Sequence, residues 1–562
     1  MTDQKTAPAY HGNGLDRSTM NTQPWWMPDL VGSLVGFIFA VLSVTPTLLP
    51  RPAVLQGILG ALAFAAGYLI GVAAWSAIRR LLWKDGAVPP FRRVWWYVYG
   101  LAWIAAIVAL STATITWQND VRALVSMPPV DEVNIIGFLT AFLPLTVILL
   151  LIGKGVRAMY GRFRRRRSWI VASSITAGIV IAAVAIFVAV VMVGIDRYFY
   201  SRNQTYETTT EPGSEHRSAG PESAMEWEDL GRHGAAFVGG GPTREDIETI
   251  TGSEAMTPIR VYAGLESAET VQERAELVVD ELERTGAFDR SVLVVATPTG
   301  SGWLEPQTID SIEYLHGGDT AIASMQYAYT PSWVSFIFDE DAPVASATAL
   351  TDAVHARWSE LPEDDRPQLV VYGLSLGAHG GQAAFDDVAD LRSRTDGAMF
   401  AGSPPSAELW STLQSQRDEG SPAWQPVLGG GREVRWISKT GDEEKLTGPW
   451  IAPRVLYLQH PSDPVVWLSP KVLWSSPEWL EPDQRSDDIS ASMRWMPVVT
   501  GLQVFIDMLG AESVPAFYGH NYGNVALTGW QQITADSGLD EEALSRIRAE
   551  IETYAPIPPF EQ

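Results

Sequence analysis

The chain has 562 residues, 46% of them hydrophobic, a formal net charge of −25 and no cysteine. That length allows two to four domains, and the missing thiols exclude disulfides, thiolate metal sites and a cysteine nucleophile. The acidic balance argues against nucleic acid, whose phosphates need a basic face.

Residues 1–29 are polar and rich in Asn, Thr, Gly and Pro, with no apolar core leading to a small-residue cleavage site. They are expected to form a cytoplasmic tail. Five segments without Asp, Glu, Lys, Arg or His follow, at about 30–50, 52–78, 94–118, 133–153 and 168–195. At 1.5 Å per residue, each can cross a hydrocarbon core of about 30 Å. Trp25, Trp26, Trp83, Trp95, Trp96, Trp117 and Trp169 lie near segment ends, where an interfacial aromatic belt belongs. Five transmembrane helices over 30–198 are therefore expected, and the absence of ionisable side chains inside them argues against a pump or secondary transporter.

Orientation follows from the loops. Arg79, Arg80, Lys84, Arg92 and Arg93 follow the second segment, and Lys154, Arg157, Arg162 and Arg164 to Arg167 follow the fourth, whereas the other two connections carry little more than Arg51 and Arg122. The basic loops belong in the cytoplasm, which puts the N-terminus inside and everything after Tyr198 outside the cytoplasmic membrane. The turn Thr45-Pro46-Thr47-Leu48-Leu49-Pro50-Arg51-Pro52 is dense in proline and reads as a rigid hairpin between helices.

Residues 199–230 are polar and mixed and read as a linker. From 231 to 562 short apolar runs alternate with amphipathic stretches. Strands are expected at about 258–264, 291–297, 367–373, 396–402, 433–438 and 453–459, and helices at about 268–285, 343–360, 377–390, 406–416, 489–509 and 539–554. The class is α/β, a mostly parallel sheet covered by helices on both faces.

The run Gln368 to Tyr372 leads into Gly373-Leu374-Ser375-Leu376-Gly377, a Gly-x-Ser-x-Gly at a strand-to-helix bend. Such a bend lifts the serine hydroxyl clear of the sheet, and glycines two residues either side remove side chains that would collide across it. The motif alone is weak; its setting and its partners give it weight. A serine hydroxyl is a poor nucleophile without an imidazole to take its proton and a carboxylate to orient that imidazole. Of eight histidines, only His379, His460 and His520 follow Ser375. His379 is one turn into the helix, poorly placed to reach the hydroxyl. His460 closes the strand Arg454 to Gln459, whose continuation Pro461-Ser462-Asp463-Pro464 offers Asp463 as the acid at a strand end. His520 lies downstream in a turn-rich loop, so Ser375, Asp463, His520 is the ordering that uses the strand ends. Asp396 and Asp442 are the rival acids, and Asp463 could instead be a local turn cap.

Oxyanion donors are expected at the N–H of Leu376, which opens the helix, and within Gly300-Ser301-Gly302, a Gly-bearing loop after the strand ending at Thr297. Trp303 is a candidate apolar wall. No metal or cofactor is implied, since there is no His-Glu-x-x-His and the acidic residues do not cluster at ligand spacing.

On Thr45 to Arg51, Gly373 to Gly377, Leu456 to Asp463 and Gly519 to Tyr522, the chain resembles the actinobacterial membrane-anchored α/β-hydrolases. The resemblance implies a five-helix N-terminal membrane domain followed by an α/β-hydrolase catalytic domain, and a serine hydrolase or acyltransferase of the cell envelope. The leading expectation is a membrane-anchored esterase or lipase-like enzyme that cleaves an acyl ester of a lipidic or acylated envelope substrate through an acyl-enzyme on Ser375. Acyl transfer to an envelope hydroxyl, and an inactive membrane scaffold, are the alternatives. The bilayer and the acylated substrate are the expected partners; no protein partner is indicated.

Overall fold

The computed structural model describes residues 27–82, 94–206 and 210–554. The N-terminal tail up to residue 26, Trp83 and the basic residues Lys84, Arg92 and Arg93 lie outside the described residues. The N-terminal region is helical, with α1 (Leu30–Leu42), α2 (Ala53–Leu82), α3 (Val94–Leu124), α4 (Ile135–Arg164) and α5 (Trp169–Asn203).

Among the described residues four helices, α2 to α5, are long and apolar enough to cross a membrane. The expected first span is not among them. α1 has 13 residues, about 20 Å at 1.5 Å per residue, because the apolar run from 30 to 50 does not continue as helix. Ser43 Oγ donates to Ala40 O and Thr45 Oγ1 to Leu42 O, and Pro46 then disfavours helical backbone at Thr45. Absence of charge is thus a weaker signal than the prolines that follow it. α1 lies closely on α2 through Gly32 and Gly36 on one helix and Gly67 and Gly71 on the other. A methyl group at Gly36 would stand 2.7 Å from Phe64 O, and one at Gly67 2.8 Å from Val35 O. Small residues four apart let two apolar helices meet backbone to backbone. α3 and α5 instead turn large side chains outward, Leu101, Val108, Ile181 and Phe187 among them.

The C-terminal part holds a seven-stranded sheet, β1 (Ile259–Ala263), β2 (Val292–Thr297), β3 (Thr320–Met325), β4 (Gln368–Leu374), β5 (Gly397–Ala401), β6 (Val434–Ile437) and β7 (Arg454–Leu458). The order is β1-β3-β2-β4-β5-β7-β6 and every pairing is parallel. Strands this buried read as continuous apolar runs. Helices 271–285, 341–359 and 376–383 pack as one group and helices 306–315, 523–533 and 541–552 as another, leaving the sheet between them. β4 is the middle strand, its Gly373 paired with Thr297 of β2 and Phe400 of β5. β7 inserts between β5 and β6, so the loop after it opens beside the end of β5.

Several features were not expected, among them the helix Pro306–Leu315, outside every expected helix, and the late start, at Val499, of the helix expected from 489. β3 reads Thr-Ala-Ile-Ala-Ser-Met, in which small Ala and Ser residues break up the apolar run. The segment read as a linker is partly fixed in place: Arg260 N–H donates to His216 O and Ser218 N–H to Arg260 O, which lays residues 216–218 along the free edge of β1.

Candidate active site

Ser375 lies between β4 and the helix Leu376–Ala383 with φ +59° and ψ −119°, backbone that residues with side chains rarely adopt. The chain is packed tightly on both sides of it. A methyl group at Gly373 would fall 2.2 Å from Gly377 O, and one at Gly377 would fall 2.1 Å from Thr297 O. Ser375 N–H donates to Ala401 O at 2.9 Å, which fastens the bend to β5. Leu376 is the first helical residue, so its N–H is one of those an α-helix leaves without an internal acceptor.

Asp463 follows β7 and is fully buried. Its Oδ1 accepts from Val465 N–H at 2.8 Å, capping the short helix Pro464–Trp467. Its Oδ2 accepts from His520 Nδ1 at 2.7 Å and from the Tyr522 hydroxyl at 2.7 Å. The local turn cap and the histidine partner are therefore one carboxylate, each oxygen serving one end. Because Nδ1 carries the proton shared with Asp463, the basic nitrogen of His520 is Nε2. Nε2 is buried and makes no hydrogen bond. Ser375 and His520 line the same cavity, with Trp333, Phe336 and Val465 on its walls. Serine and imidazole share the cavity without bonding, an arrangement that in many enzymes tightens only around substrate.

Burial opposes a charge on the His520 ring, but the Asp463 charge and hydrogen bond, reinforced by Glu512 and Glu305, outweigh it and leave the imidazole pKa raised. His460 behaves oppositely. Burial pushes it down to about 4, its ring stacks on Tyr522 at 4.1 Å, and its Nδ1–H donates to Gly519 O at 3.0 Å. It is a neutral brace for the loop that carries His520. His379, nearly buried, is likewise depressed by burial and lies near Glu340. The rival acids are placed elsewhere. Asp396 accepts from Leu369 N–H, next to the N-terminal ends of β4 and β5, and Asp442 caps its own turn and pairs with Lys445.

The Gly300 to Gly302 loop departs from expectation. Gly300 N–H donates to Ser332 Oγ at 3.0 Å and Gly302 N–H to Thr299 O at 2.8 Å, so both are spent on folding the loop rather than offered to a ligand. Trp303 is buried in the core, and Trp333 and Phe336 supply the apolar wall instead.

Three residues escaped the sequence reading. Tyr522 accepts from His460 N–H at 3.0 Å while donating to Asp463, joining the strand end to the histidine loop. Gly402, φ +57°, gives the imidazole its place. Glu305 is buried near this cluster, accepts from Thr308 Oγ1 at 2.6 Å, and is pushed up to about 7 by burial, which outweighs that bond and the proximity of His520. Only Gly402 had a sequence signal, a glycine directly after a strand; the other two depend on tertiary contact.

A family described as an alpha/beta-hydrolase family matches residues 259–547, and the description alpha/beta-hydrolase family N-terminus matches residues 44–242. The first match covers just over half of the chain, which belongs to that family. No curated protein and no solved structure matches it.

At Gly402, an alanine methyl would stand 2.4 Å from His520 Cε1 in a left-handed backbone. Gly402→Ala is expected to destabilise the protein by about 2 kcal/mol or more, read as a lowered Tm by tryptophan fluorescence. An unchanged Tm contradicts this packing.

Proposed function

We propose, from membership of that family, that the protein is a membrane-anchored serine hydrolase, esterase or lipase-like, cleaving an acyl ester of a lipidic or acylated cell-envelope substrate. The observation that carries this reading is the 2.7 Å bond between His520 and Asp463, with the unpartnered Nε2 in the cavity that Ser375 lines. In this reading Ser375 Oγ attacks the ester carbonyl and its proton passes to His520 Nε2. The carbonyl electrons move to oxygen, where Leu376 N–H meets them; Ser301 is the donor left in the loop after β2. Collapse expels the alcohol, which leaves with the proton from His520. Water then repeats the sequence against the acyl-enzyme and releases the acid.

A lipidic substrate is supported by the site's surroundings. Met508 and Leu509 line the cavity at the end of the helix Val499–Met508, which packs on α2, a candidate span. Orientation is supported by the helix ends. Residues 43–51, 126 and 196 bond to the sheet-bearing part, while Arg79, Arg80, Arg162 and Arg164 occupy the opposite ends of α2 and α4, about 45 Å away for 30-residue helices. With the basic ends in the cytoplasm, the catalytic part faces outward across the cytoplasmic membrane. Acyl transfer to an envelope hydroxyl is the second reading, favoured by the burial of both Ser375 and His520, which restricts water.

A fluorophosphonate probe is expected to label the full-length protein and to label Ser375→Ala not at all; a labelled alanine variant removes Ser375 as nucleophile. The labelling rate should rise with pH through a midpoint above about 6.5, the ordinary imidazole value, because the attacking form needs neutral His520 and its pKa is raised. Asp463→Asn should lower that midpoint and slow labelling by roughly 10³-fold or more; a wild-type rate excludes Asp463 as the acid. Product analysis with water and an alcohol acceptor both present separates hydrolysis from transfer.

A further inference from the structure

The turn between α1 and α2 is not a free hairpin. Leu48 and Leu49 are buried in the same apolar cluster as Val504, Ala511 and Val514 of the sheet-bearing part. Gln503 Nε2 donates to Ser43 O at 3.3 Å and Thr45 O at 3.2 Å. Thr47 Oγ1 donates to Asp507 Oδ2 at 2.5 Å, and Arg51 Nε lies 3.2 Å from Asp507 Oδ1, both side chains almost wholly buried. From the turn between α3 and α4, Ser126 Oγ meets the Tyr518 hydroxyl at 3.0 Å.

These contacts converge on the segment that carries His520. Asp507 is in the last turn of the helix Val499–Met508. Beyond it, His520 N–H donates to Ala511 O at 2.8 Å, and a methyl group at Gly519 would lie 3.4 Å from Leu49 Cδ1. The loop 511–520 is thus held from one side by the end of β7, through Ser462 and His460, and from the other by the N-terminal turns. Burial works against both charges of the pair, pushing Asp507 up to about 6 and Arg51 down. A buried ion pair contributes little net stability, while it fixes two groups in one geometry.

We propose that Arg51 is a positioning residue for the active site: through Asp507 it sets the loop 511–520, and so places His520 Nε2 against Ser375. The turn 43–52 is then a working part of the site rather than a connection between helices. This rests on the reading of Ser375 and His520 given above. A misplacement of about 1 Å at a reacting group can slow a reaction by about 10²-fold, so modest loop shifts suffice.

The test uses full-length protein in detergent. In Arg51→Met, hydrogen exchange across 511–520 should rise, fluorophosphonate labelling should slow at least tenfold, and its pH midpoint should fall as the imidazole loses part of its contact with Asp463. Arg51→Lys should recover part of the rate. Arg51→Met/Asp507→Leu, with no unpaired charge, should regain Tm but not labelling. Wild-type exchange, rate and midpoint in Arg51→Met overturn the proposal, as does full recovery of labelling in the double variant. If Arg51→Met does not fold, Thr47→Val serves, and an unchanged exchange pattern and rate there overturn it equally. A wild-type protein that resists the probe bears on Ser375 alone, because exchange of 511–520 judges the clamp without it.

Discussion

One backbone conformation organises the sheet-bearing half. Ser375 occupies positive φ, which costs about 1–3 kcal/mol, and Thr297 O, Gly377 and Gly373 are stacked around it too tightly for a side chain at either glycine. β4, the middle strand, has β2 in register beside it, which brings Thr297 next to Gly373. The parallel sheet, the order of its strands and the two missing side chains therefore serve a single hydroxyl. The placement of β7 next to β5 brings Asp463 and, through it, His520 to the same sheet edge.

Much of this was legible in the residue order. Six of seven strands announced themselves as short apolar runs, and the motif, the strand-end acid and the late histidine each carried a local signature. What failed did so for physical reasons. The Ala and Ser of β3 carry no strand signal because the strand is set by its neighbours. The expected first span mistook apolar composition for helix, where Pro46 and two back-bonding hydroxyls end it at Leu42. The loop Gly300 to Gly302 offered three amides to a ligand in sequence, yet two are consumed in shaping the loop. Tyr522 could not be found in advance, because nothing near it in sequence shows that 59 to 62 residues of chain return to put a phenol on Asp463 and an amide on that phenol; Glu305 likewise is near His520 only through tertiary packing.

The two family matches meet between residues 242 and 259, but the physical seam does not fall there. Leu48, Leu49 and Val125 belong to the core of the sheet-bearing part although they sit between apolar helices. Arg260 of β1, conversely, is held by Asp310 and Glu313 and donates to Phe237 O, which lies within the N-terminal match. The halves share buried polar contacts of the kind that lose most when one partner is removed.

The pairing of residues 216–218 with β1 has a practical side. An outermost strand whose amides lack a neighbour is a template for another chain to join, and here the stretch leaving α5 covers part of that edge. A fragment started at residue 231 to obtain the sheet-bearing part alone would uncover β1 together with the apolar seats of Leu48 and Leu49. Its tendency to self-associate would reflect the cut, not the native molecule.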